Sequence, residues 1–392
     1  MTDQEMQYLG LKYNPFEPAA SGAPVRTDLW IPKSWKQQIQ DLLDTIQNGQ
    51  GVKAIAIEGE YGSGKTYLMR WLAQNEFPIR RIRPFFFDNP GVQFYDLANS
   101  LLRQIGRYEF SKALWEYVKP DIGPLQRSFF ESEDSFTAWL SAVKRQKKQN
   151  ESTNAITRAI RESGITSDEE IAYRFAMIIV ASLDKPFFEY RDFVAGRKDA
   201  LVAENEEANY FAAIIRALSL TGSVSGISFL LDEFEEVSLQ KRLSRKEAQD
   251  YLATLKRLLN VASQQDFWLV VSMTPQAAEI SRQLEPALWE RFTGQGQYQF
   301  VIPELSMAEA EELLMFRLED SYSQENTPKL WPFEGDVINN LTPVTYSSPR
   351  RLVKVAFYAI AEAAKKHLAL PLKGSFVHKI EYKVYPSDNK SK

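Results

Sequence analysis

The sequence predicts an α/β fold with a parallel sheet, a glycine-rich phosphate loop after the first strand, a helical insertion and a helical C-terminal region. Three observations predict it. Val52-Lys53-Ala54-Ile55-Ala56-Ile57 reads as a strand and runs into Gly59-Glu60-Tyr61-Gly62-Ser63-Gly64-Lys65-Thr66, after which Leu68, Trp71 and Leu72 share one helical face. Ile227-Ser228-Phe229-Leu230-Leu231 is an unbroken apolar run ending in Asp232-Glu233, as expected of a strand buried on both faces of a parallel sheet. From about Ser306 to Leu370 the apolar spacing is helical throughout.

Composition sets the outer bounds. The 392 residues are 44% hydrophobic and 25% charged, ordinary values for a chain with a substantial core. Lys and Arg number 47 against 51 Asp and Glu, a net charge of -4, so any nucleic-acid contact has to come from a local patch or an assembled surface. There is no cysteine, which excludes disulfides, zinc-cysteine sites and thiol catalysis. The only histidines, His367 and His378, leave little room for a histidine-based metal site. The first ten residues are polar and acidic, unlike a signal peptide. The most apolar run, Ala176 to Leu183, is too short to span a bilayer. A cytoplasmic protein is the expectation.

Element by element, residues 1–50 form an arm containing Asn14-Pro15-Phe16 and then an amphipathic helix from about Trp35 to Ile46, stopped by Gly49 and Gly51. After the phosphate loop a second strand is expected from about Ile79 to Phe87, with Phe85, Phe86 and Phe87 in the core. A helix carrying Leu97, Leu101, Leu102 and Ile105 follows. Residues 107–208 read as a helical insertion, with a basic cluster at Lys144, Arg145, Lys147 and Lys148 and a capping box from Ser167 to Glu170. A capping box from Ser244 to Glu247 opens the helix after the Asp232-Glu233 strand. Strands then fall at Phe267 to Ser272 and near Tyr298 to Ile302, with Trp268 buried. A third capping box, Ser306 to Glu309, opens the C-terminal helices, and Pro349 sits at a first helical position. Beyond Leu370, alternation of Ile380, Tyr382 and Val384 suggests one short strand or an arm. The expected divisions are 1–50, 51–302 with the insertion inside it, 303–372 and a tail at 373–392.

The loop's residue types fit one chemistry. A backbone that wraps a polyphosphate must approach anionic oxygens closely and in unusual dihedrals, which glycine allows. Its successive N–H groups and the positive end of the next helix hold negative charge. Lys65 supplies a mobile cation for the β and γ phosphates, and Thr66 a hydroxyl for magnesium. Gly59 to Thr66, with Tyr67 beside them, are the residues expected to touch nucleotide. At the acidic strand end, Asp232 suits a magnesium held through water, and Glu233 suits a base that orients and polarises the attacking water.

These motifs, in this order, resemble those of the AAA+ ATPases, and in particular the initiator-type branch of origin-recognition ATPases and related transposition regulators. Leu9-Gly10-Leu11 with Asn14-Pro15-Phe16 looks like that branch's N-terminal box, Gly59 to Thr66 matches Walker A, Leu231-Asp232-Glu233 matches Walker B, and Ser348-Pro349-Arg350-Arg351-Leu352 looks like the start of the sensor 2 helix. The resemblance covers about residues 8 to 370 apart from the insertion. The stretch Tyr210 to Glu236 is also similar to ATPases of bacterial phage-defence systems.

The resemblance implies a three-layer αβα core and a helical lid over ATP and Mg2+. It implies a sensor 1 residue, Thr274 or else Ser272, where the usual asparagine is absent. It implies an arginine finger at Arg291, with Arg282 as alternate, and a lid arginine on the γ-phosphate at Arg350, with Arg351 as its competitor. Initiators usually add a winged-helix domain after the lid; about twenty residues follow Leu370, so that domain is expected to be missing. The function implied is an ATP-driven homo-oligomeric switch acting on DNA or a partner protein, in a mobile-element or antiviral setting. The competing reading is a signalling or scaffold protein that keeps ATP as a structural ligand and docks a partner through the insertion. A small-molecule kinase fits less well, because of the large lid and the Asp232-Glu233 pair.

Overall fold

The computed structural model describes residues 3–16, 29–49, 53–91, 94–119, 136–182, 206–222, 224–238, 243–262, 266–293 and 298–386. The chain divides into two compact units, one of Met1–Ile39, Gly59–Trp71 and Val301–Lys392, the other of Gln40–Glu58 and Leu72–Phe300.

The second unit is built on five strands: β1 (Lys53–Glu58), β2 (Ile82–Phe87), β3 (Gly226–Leu231), β4 (Phe267–Met273) and β5 (Gln299–Val301). Their order is β2-β3-β4-β1-β5, and β1, β2, β3 and β4 run parallel. Every residue of β3 and β4 is buried, so both faces of the sheet are covered, as their unbroken apolar runs require. β2 differs: Phe85 and Phe87 are buried while Phe86, on the opposite side of the pleat, is only half-buried. It also starts later than the sequence suggests, because Phe77–Ile79 still belongs to the preceding helix and Arg81 turns the chain at φ 59°.

Register places the strand ends together. Phe87 pairs with Leu231, Leu231 with Val271, and Glu58 with Met273. Glu58, Asp88, Asp232 and Thr274 therefore come to the carboxyl edge of the sheet, where ligands of open parallel sheets bind. Phe229 sits centrally, edge-on to Phe85, Phe87, Phe211 and Phe267.

The described part of the insertion is helical: Arg107–Val118, Phe136–Arg145, Gln149–Glu162 and Glu169–Val180, then Glu206–Thr221 leading to β3. The expected capping box at Ser167 is replaced by a cap one residue later. Asp168 Oδ1 accepts from the backbone of both Glu170 (2.9 Å) and Ile171 (3.1 Å), since a carboxylate so placed also complements the helix dipole. The basic cluster is in part a helix end. Lys144 and Arg145 occupy a last turn, Lys147 follows in the left-handed region (φ 55°), and Lys148 pairs with Glu151 at 3.7 Å.

In the first unit the N-terminal arm is tied to the C-terminal helices. Trp331 Nε1 donates to the Leu9 carbonyl (2.9 Å), Leu11 bridges Tyr322, and Asn14 Nδ2 donates to the Phe357 carbonyl (3.2 Å). Asn14 Oδ1 also accepts from the Phe16 backbone, turning Phe16 onto Phe333. Two expectations hold at Pro349–Lys366, which begins with its proline, and at Met307–Glu319, whose Ser306/Glu309 capping box is complete. The expected strand or arm after 372 is instead a helix, Gly374–Val384. Val377 and Ile380 are one helical step apart and buried, while Tyr382 faces out. An apolar run of three alternating residues fits either period, and the packing of Val377 decides it. Among the described residues no helix is long and apolar enough to cross a membrane.

Candidate functional site

The first unit holds the phosphate loop and the residues stacked on it. Gly62 (φ 86°) and Gly64 (φ 105°) take backbone conformations that side chains rarely adopt. A Cβ at Gly59 would lie 2.5 Å from Ser63 Oγ, and one at Gly62 would lie 2.9 Å from Arg350. All three loop glycines of the motif are thus required by space or by dihedral. Lys65, buried to 8% exposure, donates to the carbonyls of Gly59 (2.9 Å) and Glu60 (3.3 Å). Thr66 is exposed at the first turn of the Lys65–Trp71 helix, and Tyr67 accepts from the Trp30 backbone at 2.8 Å.

The loop passes a test of fit for a polyphosphate on its own atoms. Ser63 Oγ is buried without a protein hydrogen-bond partner, inside a turn kept open by glycines. A buried hydroxyl of that kind matches a ligand that brings acceptors.

Arg350, at the start of the Pro349–Lys366 helix, meets this loop. Its guanidinium lies 4.4 Å from the Tyr61 ring centroid and its backbone N–H donates to the Gly62 carbonyl at 3.3 Å. Arg351 points elsewhere, 4.6 Å over the Tyr385 ring. Pro349 and Trp35 approach the position a Gly64 Cβ would take, at 4.0 and 3.6 Å. Tyr61, 74% exposed, was invisible to sequence reasoning as a partner of Arg350, because nothing local links the two positions.

The second unit carries the acidic strand end. Asp232 is 2% exposed and accepts from the Ser272 hydroxyl on β4; its backbone N–H donates to the Phe87 carbonyl (2.9 Å). Glu233 is exposed and sits in the left-handed region at φ 51°, a conformation that costs free energy for any residue but glycine and clusters at functional sites. Desolvation, then the charges of Asp232, Glu235, Glu236 and Asp88, push the Glu233 carboxyl above the usual range. Asp88 was missed. Phe85-Phe86-Phe87-Asp88 repeats the pattern of an apolar strand ending in an acid, and that signal was available. No cluster of three metal-binding side chains occurs among the described residues.

The remaining predicted residues separate by their partners. Thr274 caps the Pro275–Leu284 helix, accepting from the Ala277 backbone, whereas Ser272 contacts Asp232 directly. Arg282 pairs with Glu279 (2.9 Å) and stacks on Trp289 (5.3 Å). Arg291 lies half-buried in the helix Pro286–Thr293, anchored by buried Trp289 and Phe292. Burial pushes the Glu58 carboxyl up, opposed by Arg282 and by a 2.6 Å hydrogen bond from Gln299. Arg80, one of the cations flanking β2, is taken up by Asp44, Gln47 and Glu76.

No family model matches the sequence, and no curated protein matches it. Among solved structures the chain is similar to the ORC1 protein of Aeropyrum pernix in complex with DNA, at 13% identity and a TM-score of 0.44 over 92% of this chain and 68% of that one. It is similar to the ADP form of ORC2 from the same organism, at 13% and 0.45 over 96% and 74%. It is likewise similar to Cdc6p of Pyrobaculum aerophilum, at 14% and 0.44 over 90% and 66%. At these values the fold is argued from the strand order β2-β3-β4-β1-β5 and the loop after β1, not from the likeness.

Proposed function

We propose that the chain is an ATPase of the AAA+ kind that works as a nucleotide-controlled oligomeric switch on DNA or a partner protein, within a mobile-element or antiviral system. The observation that carries it is the loop Gly59 to Thr66, with Lys65 folded onto its carbonyls, Ser63 Oγ buried without a partner, and Arg350 seated on Tyr61. In this reading the backbone N–H groups hold the β and γ phosphates, and Lys65 exchanges the Gly59 and Glu60 carbonyls for phosphate oxygens. Glu233 takes a proton from the water whose oxygen attacks the γ-phosphorus, as the bond to the ADP oxygen breaks. Arg350 leaves the Tyr61 ring for the γ-phosphate, and Arg291 of a neighbouring copy completes the charge balance. Mg2+, held by Thr66 and through water by Asp232, would neutralise charge on the phosphates.

One observation favours the second reading, in which ATP is a long-lived structural ligand. Both hydroxyls available for a sensor 1 role are engaged, Ser272 with Asp232 and Thr274 with its helix cap. The test separates the two. We expect Lys65→Ala to weaken binding of a fluorescent ATP analogue by about two orders of magnitude, the loss of one or two charge-assisted hydrogen bonds. We expect Glu233→Gln to keep that binding, lose turnover and remain assembled when sized with ATP. Turnover unchanged in Glu233→Gln would remove that residue from the chemistry; wild-type protein that binds ATP and turns none over supports the structural-ligand reading.

A further inference from the structure

Positive charge is distributed unevenly along the chain. Residues 349–386 contain eight Lys and Arg against two Glu, a net charge of +6 within a protein whose total is -4. They form two helices packed on each other, Pro349–Lys366 and Gly374–Val384.

Both acids are already engaged. Glu362 accepts from Lys366 (2.7 Å) and from Lys383 (2.9 Å). Glu381 is 3% exposed and turned inward, accepting from the Thr342 backbone (3.1 Å) and meeting His378 Nδ1 (3.0 Å). Lys354, Lys365 and Lys379 are exposed and have no ion pair among the described residues. Arg351, Lys354, Tyr358 and Lys365 follow one another at helical spacing along one stripe. Lys354 and Arg351 both lie over the Tyr385 ring, at 5.1 and 4.6 Å. Between the helices a cleft of about 340 Å³ is lined by Lys354, Tyr358, Glu362, Ile380, Lys383 and Val384. Tyr358 and Tyr382 stand 45% and 44% exposed beside it.

We propose that this face binds the sugar–phosphate backbone of nucleic acid. Unpaired lysines spaced along about 16 Å of helix suit a polymer with regularly repeated negative charge, and each phosphate neutralised releases counterions. Exposed tyrosines between the lysines offer flat surfaces to bases or sugars. A run of acidic side chains has the charge but lacks the flat bases that stack on such rings. The inference deepens the switch reading by naming nucleic acid as what the switch acts on, and rests on that reading only for its coupling to nucleotide.

The test is fluorescence anisotropy of labelled 30-mer duplex and single-stranded DNA, titrated with the full chain at 50 and 200 mM salt. The triple variant Lys354→Gln/Lys365→Gln/Lys379→Gln keeps helix-forming side chains, so it is expected to fold, and Lys→Ala at the same sites is the second form. We expect at least about a tenfold loss of affinity for either DNA, with the slope of log affinity against log salt flatter by about three. Tyr358→Ala/Tyr382→Ala should weaken the single strand more than the duplex. Lys144→Gln/Lys147→Gln/Lys148→Gln, the same charge change elsewhere, should bind as wild type. Unchanged affinity in both forms of the triple variant overturns the proposal. So does an equal loss in the control, or polyglutamate competing as well as DNA. Binding of an ATP analogue, measured on the same samples, reports the loop separately. If analogue binding is absent while the triple variant still loses DNA, the switch reading fails and the surface stands.

Discussion

At the scale of single residues, the loop and the arginine above it form one device. Arg350 is exposed, yet it is held by the Tyr61 ring face and by its own backbone bond to Gly62. A guanidinium over an exposed aromatic ring gains about 0.5–1 kcal/mol, enough to pre-position it and little enough to be given up to a phosphate. Tyr61 then holds Arg350 in place until a γ-phosphate draws it off the ring. We expect Tyr61→Ala, which removes a contact that ATP binding breaks, to raise affinity for ATP by about two- to fivefold while leaving affinity for ADP nearly unchanged, since only ATP offers the γ-phosphate. Tyr61→Phe keeps the ring and should behave as wild type. Competition titrations of the two nucleotides on both variants check this; equal weakening of ATP and ADP in Tyr61→Ala would assign the ring a merely structural part.

At the scale of elements, what was legible was what local chemistry dictates. The glycines of the loop are fixed by dihedral and space within the loop itself. β3 and β4 were legible because burial on both faces leaves an unbroken apolar run. The Gly374–Val384 helix was not, because Ile380, Tyr382 and Val384 fit a period of two as well as one of 3.6 until Val377 is seen to be buried. The pairing of Tyr61 with Arg350 and the acid at Asp88 were missed for different reasons: one arises only through tertiary packing, and the other was overshadowed by three phenylalanines read as core.

The Ser306 capping box was legible and has a measurable consequence. Burial raises the Glu309 carboxyl, but hydrogen bonds from Ser34 and from the backbone and side chain of Ser306 outweigh it and hold it below the usual range. A carboxyl depressed on folding stabilises the protein above its unfolded pKa, and that stability is lost as pH falls through the folded one. We expect Ser306→Ala to cost about 1 kcal/mol near neutral pH. The difference from wild type should begin to narrow as pH falls below about 4.3, the ordinary glutamate value at which the unfolded chain takes up its proton, and close once the folded Glu309, held lower, is protonated as well. Denaturant melts at several pH values read it directly, and a gap that widens toward acid would contradict the assignment.

At the scale of the whole molecule, the question is whether one copy holds everything that hydrolysis needs. Arg282 is engaged in cis, paired with Glu279 and stacked on Trp289. Arg291 lies on a helix whose buried Trp289 and Phe292 anchor it, while the neighbouring Glu290 faces solvent. An arginine presented from a fixed helix is suited to act on a second copy's nucleotide, and such a residue can contribute about 10³-fold or more in rate. A head-to-tail arrangement then has a testable arithmetic. Arg291→Ala subunits keep an intact loop, and Lys65→Ala subunits keep an intact arginine. In an equal mixture about a quarter of the interfaces join the two intact halves, if subunits exchange freely in a heterologous assembly. We expect each variant alone to be nearly inactive and the mixture to recover turnover toward that fraction, with Arg282→Ala unable to replace Arg291→Ala in the experiment. If no turnover returns on mixing, although both variants co-assemble by size, Arg291 does not act across subunits. If Arg282→Ala complements instead, the arginine that crosses the interface is the one that Glu279 holds in the isolated chain.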